Sequence, residues 1–201
     1  MQYNNFSGLL LFLGVIMTTS CQEEANEPSL KNSPLTQVVQ AENLRMVRNE
    51  GRVYYQGKPF TGTSVAYYHN GSQASEMEYV EGKKHGRYTK WFANGHPSYE
   101  CCYQEGKKHG RALSWWRNGH LRTRSNYDQG IPHGKQMQWY ISGTKFKKIN
   151  LVYGKEEGLQ QSWRKNGKLY NNYEAKNGRT FGLRRTKLCY QLNNGKIQQT
   201  K

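Results

Sequence analysis

The amino-acid sequence predicts an all-β fold: an elongated, single-layer antiparallel β-meander of about six hairpin repeats, each 24 residues long. Three observations carry that expectation. The hexapeptide EGKKHG occupies 81–86 and recurs letter for letter at 105–110. Asn-Gly pairs stand at 70–71, 94–95, 118–119 and 166–167, in fixed register with the hexapeptide. The apolar material is mostly rings: 15 Tyr and 5 Trp in a chain only 35% hydrophobic. That balance favours half-buried strands and tight turns over packed helices. Disordered chains are usually poor in aromatics, so the low hydropathy does not read as disorder.

The N-terminus is a separate object. The ten-residue apolar run GLLLFLGVIM (8–17) is too short to span a bilayer, and small residues lead from it to Cys21. This is the shape of an exported leader with its cleavage site. It resembles a bacterial lipoprotein signal over 1–20, which implies lipidation of Cys21 and membrane attachment through that lipid. Gln22 after the cysteine implies sorting to the outer membrane, and CQEE (21–24) is similar to an acidic surface-export tag. Residues 21–43 are polar, contain Pro and Ser, and follow no sustained period, so they read as a flexible tether. The folded body is expected over 44–201.

The repeat is the dominant signal in that body. YVEGKKHGRYTKWFANG (79–95) is followed by YQEGKKHGRALSWWRNG (103–119), YDQGIPHGKQMQWYISG (127–143) and LVYGKEEGLQQSWRKNG (151–167). Upstream, 54–71 is the same unit with one residue inserted; downstream, 175–195 is a stretched one. Asn-Gly is a strong hairpin signal because both residues accept positive φ. The G-x-x-x-G stretch, Gly82 to Gly86 in one copy, reads as the other turn. Runs of seven or eight residues between turns have the length of strands.

Alternation suggests two unlike faces. An aromatic ladder of Tyr67, Trp91, Trp115, Trp139 and Trp163 is expected to share one face with Tyr79, Tyr103 and Tyr127 of the return strands. Glu76, Glu100, Arg124, Lys148 and Asn172 are expected on the other, polar face. The ladder serves either as the core of a one-layer sheet or, where partly exposed, as a stacking surface for sugars or bases.

Written out this way, the sequence resembles the MORN-repeat variant family over about 145 residues. The resemblance implies an elongated β-meander serving as a binding or scaffolding surface. Bacterial relatives with lipoprotein-like N-termini often carry an antitoxin-like label.

Charge points to the class of partner. The chain carries +16 in all, and residues 1–50 hold three basic and five acidic residues, so the body is more basic still. Lys83, Lys107, Lys155 and Arg179 share one repeat position, and Arg87, Arg111 and Lys135 another. With Lys84 and Lys108 they read as a basic column along one line of turns, fit for an anionic polymer, a headgroup layer or a protein. The alternative is that they solvate loops and guard sheet edges. Nucleic acid would suit the charge but conflicts with export. His85, His109 and His133 also share a position, two strands apart each time, too far to hold one metal ion. Three cysteines follow Cys21: Cys101, Cys102 and Cys189. A regular sheet would hold Cys189 about seven strands away, so free thiols are expected. Asp occurs once, at Asp128, and no nucleophile sits with a base, so neither catalysis nor a cofactor or metal is expected. The functional expectation is a non-enzymatic envelope lipoprotein built on a repeat scaffold, with an antitoxin or immunity protein as the alternative.

Overall fold

The computed structural model describes residues 37–183 and two further short strands. β1 (Val38–Gln40) leads through a 3-10 turn, Ala41–Asn43, to a small three-stranded sheet. That sheet comprises β2 (Arg45–Val47), β3 (Arg52–Tyr55) and β4 (Lys58–Pro59). The long sheet follows: β5 (Gly62–Tyr67), β6 (Gln73–Val80), β7 (Lys83–Trp91), β8 (Pro97–Gln104), β9 (Lys107–Trp115) and β10 (Leu121–Asp128). It continues with β11 (Ile131–Pro132), β12 (Gly134–Trp139), β13 (Lys145–Val152), β14 (Lys155–Glu156), β15 (Gly158–Trp163), β16 (Leu169–Lys176) and β17 (Arg179–Leu183). A separate hairpin pairs β18 (Tyr190–Asn193) with β19 (Lys196–Gln199).

From β5 to β17 each strand pairs with its sequence neighbours in antiparallel register, and β11 and β14 are short side branches. The predicted meander is thus the architecture. Its first pairing differs: β1 runs parallel to β5, with Val38 opposite Thr63 and Gln40 opposite Val65. The 21 residues from Ala41 to Thr61 give the chain room for that parallel return, which a tight turn cannot make. The tether expected to reach residue 43 therefore ends earlier, because Val38–Gln40 is strand and Val39 is buried. Residues 1–36, including the leader and Cys21, lie outside the described residues, as does Cys189.

The two turns of each unit exchange the roles that their sequences suggest. Both residues of Glu81-Gly82 have positive φ, 47° and 78°, and the same holds at Glu105-Gly106 and Gln129-Gly130. These are the two-residue hairpins. At the Asn-Gly sites only the glycine is left-handed: Phe92–Gly95 forms a four-residue turn, with the Gly95 N–H donating to the Phe92 carbonyl and the Phe92 N–H to that of His96. The Asn94 side-chain oxygen accepts from the His96 N–H, so it closes the loop by its side chain instead of by positive φ. Gly86 is not in the turn at all. It lies within β7 at φ 72°, where three residues of β7 face the single Glu78 between the pairs Met77–Tyr88 and Tyr79–Lys84. The units that turn at Gly82, Gly106, Gly130 and Gly154 therefore have a glycine bulge four residues after that glycine, whereas β16 pairs with β17 through Gly182 without one. Gly82 is constrained by space as well as φ, since a Cβ there would stand 2.7 Å from the Val53 carbonyl oxygen.

The register also corrects the expected faces. Thr89 lies opposite Glu100, Leu113 opposite both Glu100 and Arg124, and Met137 opposite Lys148. Directly opposed residues share a face, so the Trp column lies with Glu76, Glu100, Arg124 and Lys148. It does not lie with Tyr79, Tyr103 and Tyr127. The four-residue turn sets a register one residue away from the expected one, and a slip of one inverts every side chain. One face is thus the tyrosine face, lined by Met77, Tyr79, Tyr88, Tyr99, Cys101, Tyr103 and Ala112. The other is the tryptophan face.

The core sits at the N-terminal end of the tyrosine face. Val39, Val53, Phe60, Met77 and Tyr79 form one buried cluster, with Leu44, Tyr55, Tyr88 and Tyr103 packed against it. Phe60, the inserted residue of the first unit, is only 2% exposed and is flanked by the rings of Tyr55 and Tyr79.

Candidate binding surface

The residues expected to form one basic column divide between the two faces. Lys84 pairs with Tyr79 and Lys108 with Tyr103, which puts both on the tyrosine face. There the Lys84 ammonium lies over the rings of Tyr88 and Tyr103, 5.8 and 5.1 Å from their centroids. Lys108 lies over Tyr99 and Tyr127 at 5.3 and 5.2 Å. These two lysines cover the tyrosine cluster as cations on ring faces. Burial pushes the Tyr103 phenol up to about 12 and raises that of Tyr99 as well. Cys101 lies among them, 1% exposed and free, its thiol raised by burial against the opposing pull of Tyr99 and the two lysines. Cys102, on the other face, is disulfide-bonded, which corrects the expectation of free thiols throughout. That expectation extrapolated one regular sheet to the end of the chain, whereas the sheet ends at β17 and the last hairpin is separate.

Lys83, Arg87, Lys107, Arg111, Lys135, Lys155 and Arg179 belong to the tryptophan face. Lys83 is engaged, bonded at 3.0 Å to Glu105 of the next turn. That contact, first as hydrogen bond and then as charge, holds the Glu105 carboxyl below its ordinary range. Lys107, Arg111, Lys135, Lys155 and Arg179 are exposed. The histidine column also reaches along the array: His85 lies 3.9 Å from Glu105, His109 lies 3.8 Å from Asp128, and the His133 ring lies tilted against that of Tyr153 with centroids 4.8 Å apart. Among the described residues no cluster of three or more His, Cys, Asp or Glu could hold a metal ion.

Trp91, Trp115, Trp139 and Trp163 are half-buried and Tyr67 is 54% exposed. They are the partly covered rings of a sheet face on which Val65 and Met137 are buried, while the main buried cluster lies on the opposite side. The four-residue turns beside them bind unit to unit. The Tyr68 hydroxyl donates to the Trp91 carbonyl, the Trp116 indole N–H to that of Trp139, and the Tyr140 hydroxyl to that of Trp163. The Arg122 guanidinium stacks 4.6 Å from the Trp116 ring.

One row of this face went unrecognised as a candidate. Across consecutive strands it reads Glu76, Thr89, Glu100, Leu113, Arg124, Met137, Lys148 and Gln161. Its charge changes sign at Leu113. The signal was present in the sequence as Glu76, Glu100, Arg124 and Lys148 at 24-residue spacing. Beside the row stand Arg111 and Lys135 on one side and Trp115, Trp139 and Lys145 on the other. None of the cations Arg111, Arg124, Lys135, Lys145 and Lys148 has an acidic partner among the described residues.

A meander of glycine-bulged hairpins with one packed and one open face defines a repeat scaffold. Residues 84–105 and 108–129 each match the family model described as MORN repeat variant. No curated protein matches the chain.

Proposed function

We propose that this chain is a non-enzymatic binding scaffold of the cell envelope, held to the membrane by a lipid on Cys21, that presents its tryptophan face to an anionic polymer, an anionic surface or a protein. One observation carries the reading: the sheet packs its core on the tyrosine face and leaves cations without acidic partners, interleaved with half-exposed rings, on the other. Repeat arrays with one open face serve as extended binding surfaces, and unpaired charge beside aromatic rings is the composition of a contact patch. The leader resembling a lipoprotein signal supplies the envelope address. Nothing in the fold favours the antitoxin alternative over it.

Two measurements test this reading. Metabolic labelling with a fatty acid should mark the wild type and not Cys21→Ala; equal labelling would contradict the anchor. Capture from an envelope extract should weaken when Arg111 and Lys135 are both changed to Glu in a protein that still folds, and unchanged capture would contradict the assignment of the face.

A further inference from the structure

We infer that strands β9 to β13 of the tryptophan face form a track for an extended acidic polysaccharide carrying one carboxylate or sulfate on every second sugar; the inference rests on the scaffold reading above. Arg124 and Lys148 sit two strands apart on one row, and Arg111 and Lys135 two strands apart on the adjoining row. Strands lie about 4.8 Å apart, so each pair is spaced by roughly 10 Å along the array. That period is long for a single strand of nucleic acid, which carries a phosphate at every nucleotide, and suits a sugar chain charged at alternate residues.

The apolar positions between the cations repeat with the same period. Leu113 precedes Arg124 and Met137 separates it from Lys148, while Trp115 and Trp139 stand beside them on the next row. Half-buried indoles offer flat surfaces to the C–H faces of sugars, and the cations beside them pair with the acidic groups. The track also has a limit. Glu76, Glu78 and Glu100 occupy β6 and β8 of this face, and the one acid within β9 to β13, Asp128, sits 3.8 Å from His109. An anionic chain is therefore steered to β9–β13 and repelled from the first units.

The test is retention of the full-length protein on immobilised hyaluronan, with dextran, a thymidine oligonucleotide and phosphatidylglycerol vesicles as competitors. Wild type should be retained, released by added salt, and displaced by free hyaluronan but not by dextran. Arg124→Glu with Lys148→Glu should lower affinity tenfold or more, and the milder Arg124→Gln with Lys148→Gln should lower it in the same direction if the reversed variant fails to fold. Trp139→Ala should weaken retention with less change in its salt dependence. Lys83→Glu with Arg179→Glu, at the starts of β7 and β17 and so outside the track, should cost less than threefold. Equal loss from that edge pair would overturn the track, as would tighter binding to the oligonucleotide or to vesicles. Absence of retention on hyaluronan, with envelope capture still sensitive to Arg111 and Lys135, would overturn the polysaccharide and leave the scaffold reading standing.

Discussion

The repeat position filled by Tyr88 in one unit is filled by Gln136 and Gln160 in two later ones, and the difference divides the array. Around Tyr88 the tyrosine face is closed by rings and by ammonium groups lying on them. Around Gln136 it is closed by hydrogen bonds. Gln136 is buried, and its amide donates 2.9 Å to the Asn126 carbonyl while its oxygen accepts from the Asn126 N–H. Gln160 does the same to Asn150, at 2.9 and 3.0 Å. In both units the glycine bulge pulls a stretch of backbone out of the ladder; the glutamine oxygen takes the Asn126 or Asn150 N–H, and its amide adds a second donor to a carbonyl that already accepts from the His133 or Glu157 N–H. One backbone plan is thus stabilised in two ways: by apolar burial in the first units and by side-chain substitution into the ladder in the later ones.

The largest expected effect breaks the apolar end. Phe60→Ala empties the centre of the buried cluster and should lower stability by about 3–5 kcal/mol in denaturant unfolding. A loss below about 1 kcal/mol would show that the cluster is not the core. Next comes the polar end. Gln160→Ala strands the Asn150 N–H, while the Asn150 carbonyl keeps the Glu157 N–H, and should cost about 1–3 kcal/mol, with faster amide exchange confined to the strands around β15. Exchange accelerated equally in β6 would contradict two separate modes.

Alkali should separate the halves as well. The Tyr103 phenol is raised from 10.0 to about 12 by burial, so the folded chain favours its neutral form. That contribution is complete below the unfolded value of 10.0 and is lost as pH rises through about 12. Tyrosinate absorbance should show a late-titrating group that Tyr103→Phe removes. The smallest effect is expected at Glu105, whose lowered carboxyl reflects an exposed pair with Lys83. Its contribution is present above the ordinary carboxylate range and lost as pH falls through it, and Glu105→Gln should leave the unfolding midpoint at neutral pH unchanged within error.

Much of this architecture was legible in the sequence, and the reason is periodicity. A 24-residue repeat with two turns per unit leaves few alternatives to a meander, and the MORN repeat variant match falls on its two most regular units. The faces were not legible, because alternation fixes which residues go together within a strand but not across a turn. That depended on Asn94 closing a four-residue loop by its side chain and on Gly86 bulging a strand, neither of which a hydrophobic pattern records. The basic column dissolved for the same reason: Lys83 and Lys84 are adjacent in sequence and opposite in the sheet. The row through Arg124 and Lys148 became visible only once Leu113 and Met137 were placed between its members.

Hydrogen exchange along the array, read by mass spectrometry at neutral pH, tests the two-mode account most directly. The account predicts the slowest exchange in β5 to β8, next to the Phe60 cluster, and progressively faster exchange from β12 onward, where hydrogen bonds replace apolar burial. Uniform protection from β5 to β16, or protection greatest around Gln136 and Gln160, would contradict it.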